Sequence, residues 1–179
     1  MAERPRTHLW VMRALFAALC ASVIFWRLLP LHTLPPGWAG PDLMLALAFA
    51  WVLRRPEYAP PLLIGVAVLL ADLMFQRPPG LWAALVLLGS EALRARAPGL
   101  RDLGFGPEWL AAATTTLAIT LIYRLTLAVL MVPQAPLGLS LMQMAMTVIC
   151  YPLIVLASAK LLGVRKARPS EGGGRRLRM

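Results

Sequence analysis

The chain has 179 residues, 59% of them hydrophobic and only 15% charged, whereas a soluble domain carries about 25% charged and 45–50% apolar residues. The apolar residues fall in blocks of roughly 15–25 separated by short polar or proline-rich stretches, the spacing that a bilayer core imposes. Most blocks lack the polar face that a soluble helical bundle would show. The 18 Lys and Arg outnumber the 8 acids, a net charge of +10, and in so apolar a chain these cations bear on membrane topology before nucleic acid.

Taken in chain order, six transmembrane helices are predicted: Val11 to Leu29, Asp42 to Leu53, Pro60 to Phe75, Gly80 to Leu93, Trp109 to Val132 and Leu137 to Ala159. The first block ends in Phe25-Trp26-Arg27 and no hydrophilic domain follows it, so it is expected to be a retained helix and not a cleaved signal. Proline and glycine punctuate the gaps at Pro35-Pro36-Gly37, Pro78-Pro79-Gly80, Pro98-Gly99, and Pro133 with Pro136.

The second block is short. Eleven apolar residues separate Asp42 from Arg54, about 16 Å of helix against a core of about 30 Å. Charge placement favours a crossing over a re-entrant segment. With six spans and both termini in the cytoplasm, 15 of the 18 cations lie inside and only Arg27, Arg77 and Arg124 lie in or beyond the outer half. The fold class is thus an all-α membrane protein, with a six-helix transmembrane domain over residues 1–163. A basic tail over 164–179 carries Arg165, Lys166, Arg168, Arg175, Arg176 and Arg178. Such a tail is expected to be disordered and drawn to anionic head groups, by about 1 kcal/mol per cation, as a topology anchor or as a docking point for a cytoplasmic partner.

Packing cues are small residues four apart at Ala17 and Ala21, Ala46 and Ala50, and Ala67 and Ala71. Thr114-Thr115-Thr116 is expected to bond back to helix carbonyls, and Pro152 to kink the sixth helix one to two turns after Gln143. Asp42, after Gly40-Pro41, is placed to cap its helix, and Glu91 to pair with Arg94. Cys20 and Cys150 lie inside apolar blocks as small hydrophobes, and His8 and His32 are too far apart for a ligand pair.

Charges at membrane depth face a partner or a cavity. Arg124 stands among 24 otherwise uncharged residues, Asp72 lies towards the outer end of the third helix, and Arg27, Asp42 and Arg77 lie at or near the same face. Either these groups form buried ion pairs, with Asp72 to Arg124 the sharpest candidate, or they line a ligand or partner site in the outer half. No paired carboxylates, Ser–His arrangement or phosphate-binding glycine loop is evident, so neither an enzyme nor a bound cofactor is expected.

The stretch Gly40-Pro41-Asp42-Leu43 through Trp51-Val52-Leu53-Arg54-Arg55-Pro56-Glu57-Tyr58, followed by Gly65, Asp72 and Pro79-Gly80-Leu81, resembles the rod shape-determining MreD family. The likeness extends in size and layout over Val11 to Gly163, and its specific part is about residues 40–82. One departure is Gln76-Arg77-Pro78, where the family pattern has small residues. The resemblance implies a multi-pass protein of the bacterial inner membrane that serves cell elongation without catalysis. It implies binding to MreC and a link from the MreB cytoskeleton to peptidoglycan synthesis, with RodA and a class B penicillin-binding protein as further partners beside membrane lipid. It also implies a fold like the S-components of energy-coupling-factor transporters, and with it an alternative, a small-molecule binding or transport subunit.

Overall fold

The computed structural model describes residues 6–29, 37–100 and 103–164. The basic tail cluster Arg165, Lys166, Arg168, Arg175, Arg176 and Arg178 lies outside the described residues, as do His32 and Arg101. Among the described residues all regular structure is helical. The elements are α1 (Arg6–Leu28), α2 (Leu43–Arg54), α3 (Pro61–Met74), α4 (Leu81–Leu100), α5 (Phe105–Val129) and α6 (Leu137–Leu161). Segments Thr7–Leu28, Phe105–Val129 and Leu137–Leu161 are long and apolar enough to cross a membrane.

The short second helix is the axis of the bundle. Every residue from Met44 to Leu53 is buried, as an apolar surface with no polar stripe requires. It is walled by α4 and α6, and touched by α5 and α1. A helix enclosed on all sides faces protein and not lipid, so its length need not match the bilayer. Trp51 is fully buried, flanked by Phe16 and Tyr58 with ring centroids 5.3 and 6.3 Å away. Gly89 brings α4 in close: a Cβ there would stand 3.0 Å from Thr115 and 3.3 Å from both Ile119 and Phe49.

Large apolar side chains point outward on the long helices, among them Trp10 and Phe25 on α1, Leu121 and Leu125 on α5, and Ile149 and Leu153 on α6. In water that surface would be a liability, and in hydrocarbon it is the expected one. Of the small-residue pairs, Ala46 with Ala50 and Ala67 with Ala71 are buried. Ala17 is half-buried and Ala21 exposed, so α1 packs instead through Met12, Phe16 and Cys20, a stripe at four-residue spacing. Thr114, Thr115 and Thr116 donate to the carbonyls of Leu110, Ala111 and Ala112, and Pro152 lies within a continuous α6.

Three helices differ in extent from the sequence reading by more than three residues, and α1 begins at Arg6, five residues before Val11. α4 continues past Leu93 to Leu100, and Arg94 within it donates to Glu91 Oε1, the pair expected from the sequence, and to the carbonyls of Pro56 and Ala59. α5 begins at Phe105, with Pro107 in the first turn where a missing N–H costs nothing, and this draws Glu108 into the helix.

Candidate functional site

Both ends of α2 terminate in polar side chains inside the bundle, and the two ends are built differently.

At the C-terminal end Arg54 Nε donates to Glu108 Oε1 at 2.9 Å. The Glu108 side chain is fully buried and that of Arg54 is 13% exposed. Tyr151 of α6 donates to the same carboxylate oxygen at 3.4 Å, and Trp51 Nε1 donates to Ser158 at 3.2 Å. Around this core Arg13 bonds the Glu57 carbonyl and Arg94 bonds those of Pro56 and Ala59. Every one of these bonds joins two chain segments. A low-dielectric ion pair that is also hydrogen-bonded holds its geometry strongly, since removing one partner strands the other.

At the N-terminal end Asp42 caps α2 through Leu45 N at 3.1 Å, the role its sequence context predicts. Its own N–H donates to Thr147 Oγ1 of α6 at 2.8 Å, and Arg77 Nη1 approaches its carboxylate at 3.9 Å. The Arg77 guanidinium lies over the rings of Phe75 and Trp82, 5.5 and 5.7 Å from their centroids, within cation–π range. Arg27 donates to the Pro41 carbonyl at 2.7 Å and fixes the end of α1 to the entry of α2. It lines a neighbouring groove between α1, α2 and α6.

Asp42, Arg77 and Arg124 line one cavity of about 350 Å³ at this end. Its walls are Thr116, Thr120 and Tyr123 of α5, Gln143 and Thr147 of α6, and Trp82 of α4. Trp82 and Tyr123 meet edge to face at 5.0 Å. Two arginines against one aspartate leave the wall with one net positive charge. Arg124 uses only Nη1, donating to Ser140 Oγ and to the Ala135 carbonyl. Its Nε and Nη2, the Tyr123 hydroxyl and the Gln143 amide have no hydrogen-bond partner among the described residues.

The structure does not join Asp72 to Arg124. Asp72 is fully buried, and its Oδ2 accepts from Ala83 N at 3.0 Å, so the carboxylate caps α4 from α3 and is stabilised by the helix N-terminus. Its Oδ1 has no hydrogen-bond partner among the described residues. Of the five charges singled out in the sequence, three line the cavity, while Asp72 and Arg27 hold helix ends beside it.

Sequence reasoning missed Glu108, because the fifth helix was started at Trp109, one residue too late to include it. It also missed most of the cavity wall. The signal was present: Thr116, Thr120, Tyr123 and Arg124 fall at i, i+4, i+7 and i+8 on α5, and Gln143 and Thr147 at i and i+4 on α6, each a polar stripe along one helix face. The departure at Gln76 also falls here. Gln76 has φ of 54° and lines the cavity. It sits where α3 ends in a Schellman turn, with Gln76 N on the Leu73 carbonyl and Arg77 N on that of Asp72. Comparison of the chain with protein-family models, with curated proteins and with solved structures finds no match in any of the three.

Proposed function

We propose that this chain is a six-span protein of a bacterial inner membrane, with both termini in the cytoplasm, acting as a non-catalytic scaffold of the cell-elongation complex. In this reading it binds MreC and links the MreB cytoskeleton to peptidoglycan synthesis, alongside RodA and a class B penicillin-binding protein. The observation that carries the proposal is the MreD-like segment of residues 40–82, which takes in the enclosed helix at the centre of the bundle, α2, together with the half-exposed α3 and the start of α4. Two of its acids, Asp42 and Asp72, cap α2 and α4. The orientation rests on charge. Hydrogen bonds place Arg13, Arg54, Arg55 and Arg94 at the Arg54 end, and Arg27, Arg77 and Arg124 line pockets at the other, so the positive-inside rule sets the Arg54 end in the cytoplasm.

A second reading, a small-molecule binding or transport subunit of the S-component type, draws on the polar cavity at the Asp42 end, whose volume of about 350 Å³ lies within the usual range for small-ligand sites. Depletion from a rod-shaped host separates the two. Rounded cells with unchanged uptake of nutrients are expected, and normal shape with a nutrient requirement would favour the second reading. For topology, alkaline phosphatase fused after Arg55 should be inactive, and fused after Gly37 or Gln134 active. Strong activity at Arg55 would break the six-span layout.

A further inference from the structure

A second hollow adjoins the cavity. On the outward side of α5 and α6 a shallow groove of about 410 Å³ is walled by Leu121, Leu125, Ala128, Leu137 and Leu141. Thr120, Arg124, Gln134 and Met144 line both cavity and groove, so Arg124 stands where a polar chamber adjoins an apolar surface of two membrane-length helices. The guanidinium there keeps Nε and Nη2 without a protein partner among the described residues.

We infer that cavity and groove together form a site for one anionic membrane amphiphile, with a phosphodiester head group against Arg124 and its hydrocarbon chain along the α5–α6 groove. The planar fork of arginine matches phosphate oxygens and is lightly hydrated, which suits a site at membrane depth. Asp42 offsets one of the two guanidinium charges, and the single net charge that remains matches a phosphodiester. The unpartnered Tyr123 hydroxyl and Gln143 amide offer hydrogen bonds to a hydroxylated head group such as glycerol, and Trp82 with Tyr123 closes the apolar wall behind it. A free solute with the same phosphate would use the chamber and leave the groove empty. A lipid uses both, and the four shared residues favour the lipid. This inference goes beyond the scaffold proposal and holds or fails without it.

The test is native mass spectrometry of the full chain in mild detergent, titrated with phosphatidylglycerol, with phosphatidylcholine of the same chains, and with glycerophosphoglycerol, the head group without chains. One equivalent of phosphatidylglycerol should be retained over phosphatidylcholine by about tenfold, the worth of one charge-assisted contact. Arg124→Gln should abolish that preference and Arg124→Lys restore part of it. Filling the groove by Ala128→Trp should weaken phosphatidylglycerol several-fold. Ala128 is exposed, so this variant keeps the test open if the arginine variant fails to fold. Equal retention of the two lipids, or a preference untouched by either Arg124→Gln or Ala128→Trp, would overturn the inference. So would glycerophosphoglycerol binding as tightly as the lipid.

Discussion

The two ends of α2 carry similar residues to different effect. At the Arg54 end a carboxylate, an arginine, a tyrosine and a tryptophan close on one another across α2, α5 and α6. At the Asp42 end a similar inventory of aspartate, two arginines, tyrosine and tryptophan surrounds a space of about 350 Å³, and several donors there have no hydrogen-bond partner among the described residues. The difference lies in which side chains meet, not in composition. Polar groups that satisfy each other hold a bundle together, and polar groups spread around a space are available to a ligand. Charged residues in an apolar helix therefore fall into two kinds that a count of charges does not separate.

The largest effect is expected where the cluster is closed. Glu108→Ala leaves Arg54 without its buried carboxylate and should cost about 3 kcal/mol or more of stability. Glu108→Gln, which can still accept from Arg54 Nε, should cost less. Chemical unfolding in a mixed detergent would measure both, and an Ala variant as stable as the wild type would erase the contrast between the ends.

A smaller loss is expected at Asp72. Removing its bond to Ala83 N by Asp72→Leu should cost about 1–3 kcal/mol, and Asp72→Asn should recover part of this because its carbonyl can still cap α4. Combined with Arg124→Leu the losses should add, since the two side chains share no partner. Recovery of stability in the double variant would show that the two charges are coupled after all.

The smallest effect sharpens the comparison from the cavity side. Gln76 adopts a left-handed backbone conformation at φ of 54°, which costs a residue with a Cβ about 1 kcal/mol. Gln76→Gly should therefore stabilise the fold by about that amount, read as a rise in unfolding midpoint. A loss of stability would mean that the glutamine side chain holds the loop in place.

Much of this was legible in the sequence, for reasons that differ by element. Block spacing and proline punctuation located all six helices, because a bilayer and a helix bundle both require continuous apolar runs of limited length. Asp42 was legible as a cap because Gly-Pro before an acid and an apolar run is a local signal. The partner of Asp72 was not, since capping α4 from α3 depends on how two helices meet. Glu108 was hidden by a boundary error of a few residues, and Gly106-Pro107 just before it marked the true start. The cavity was legible only in part. Its charges stood out against apolar neighbours, while its threonines and glutamine passed as packing residues until the helices placed them on one side.

The contrast between the ends is tested most directly by thermal unfolding of the full chain with and without phosphatidylglycerol, in the wild type, Arg124→Gln and Glu108→Gln. A ligand that binds the folded state raises its melting point, by an amount that grows with the logarithm of its concentration relative to Kd. An open site at the Asp42 end predicts that the wild type and Glu108→Gln both gain stability with the lipid, Glu108→Gln from a lower starting point. It predicts that Arg124→Gln gains little from the lipid, whatever its starting point. A lipid-dependent gain lost in Glu108→Gln and kept in Arg124→Gln would contradict the assignment of structure to one end and binding to the other.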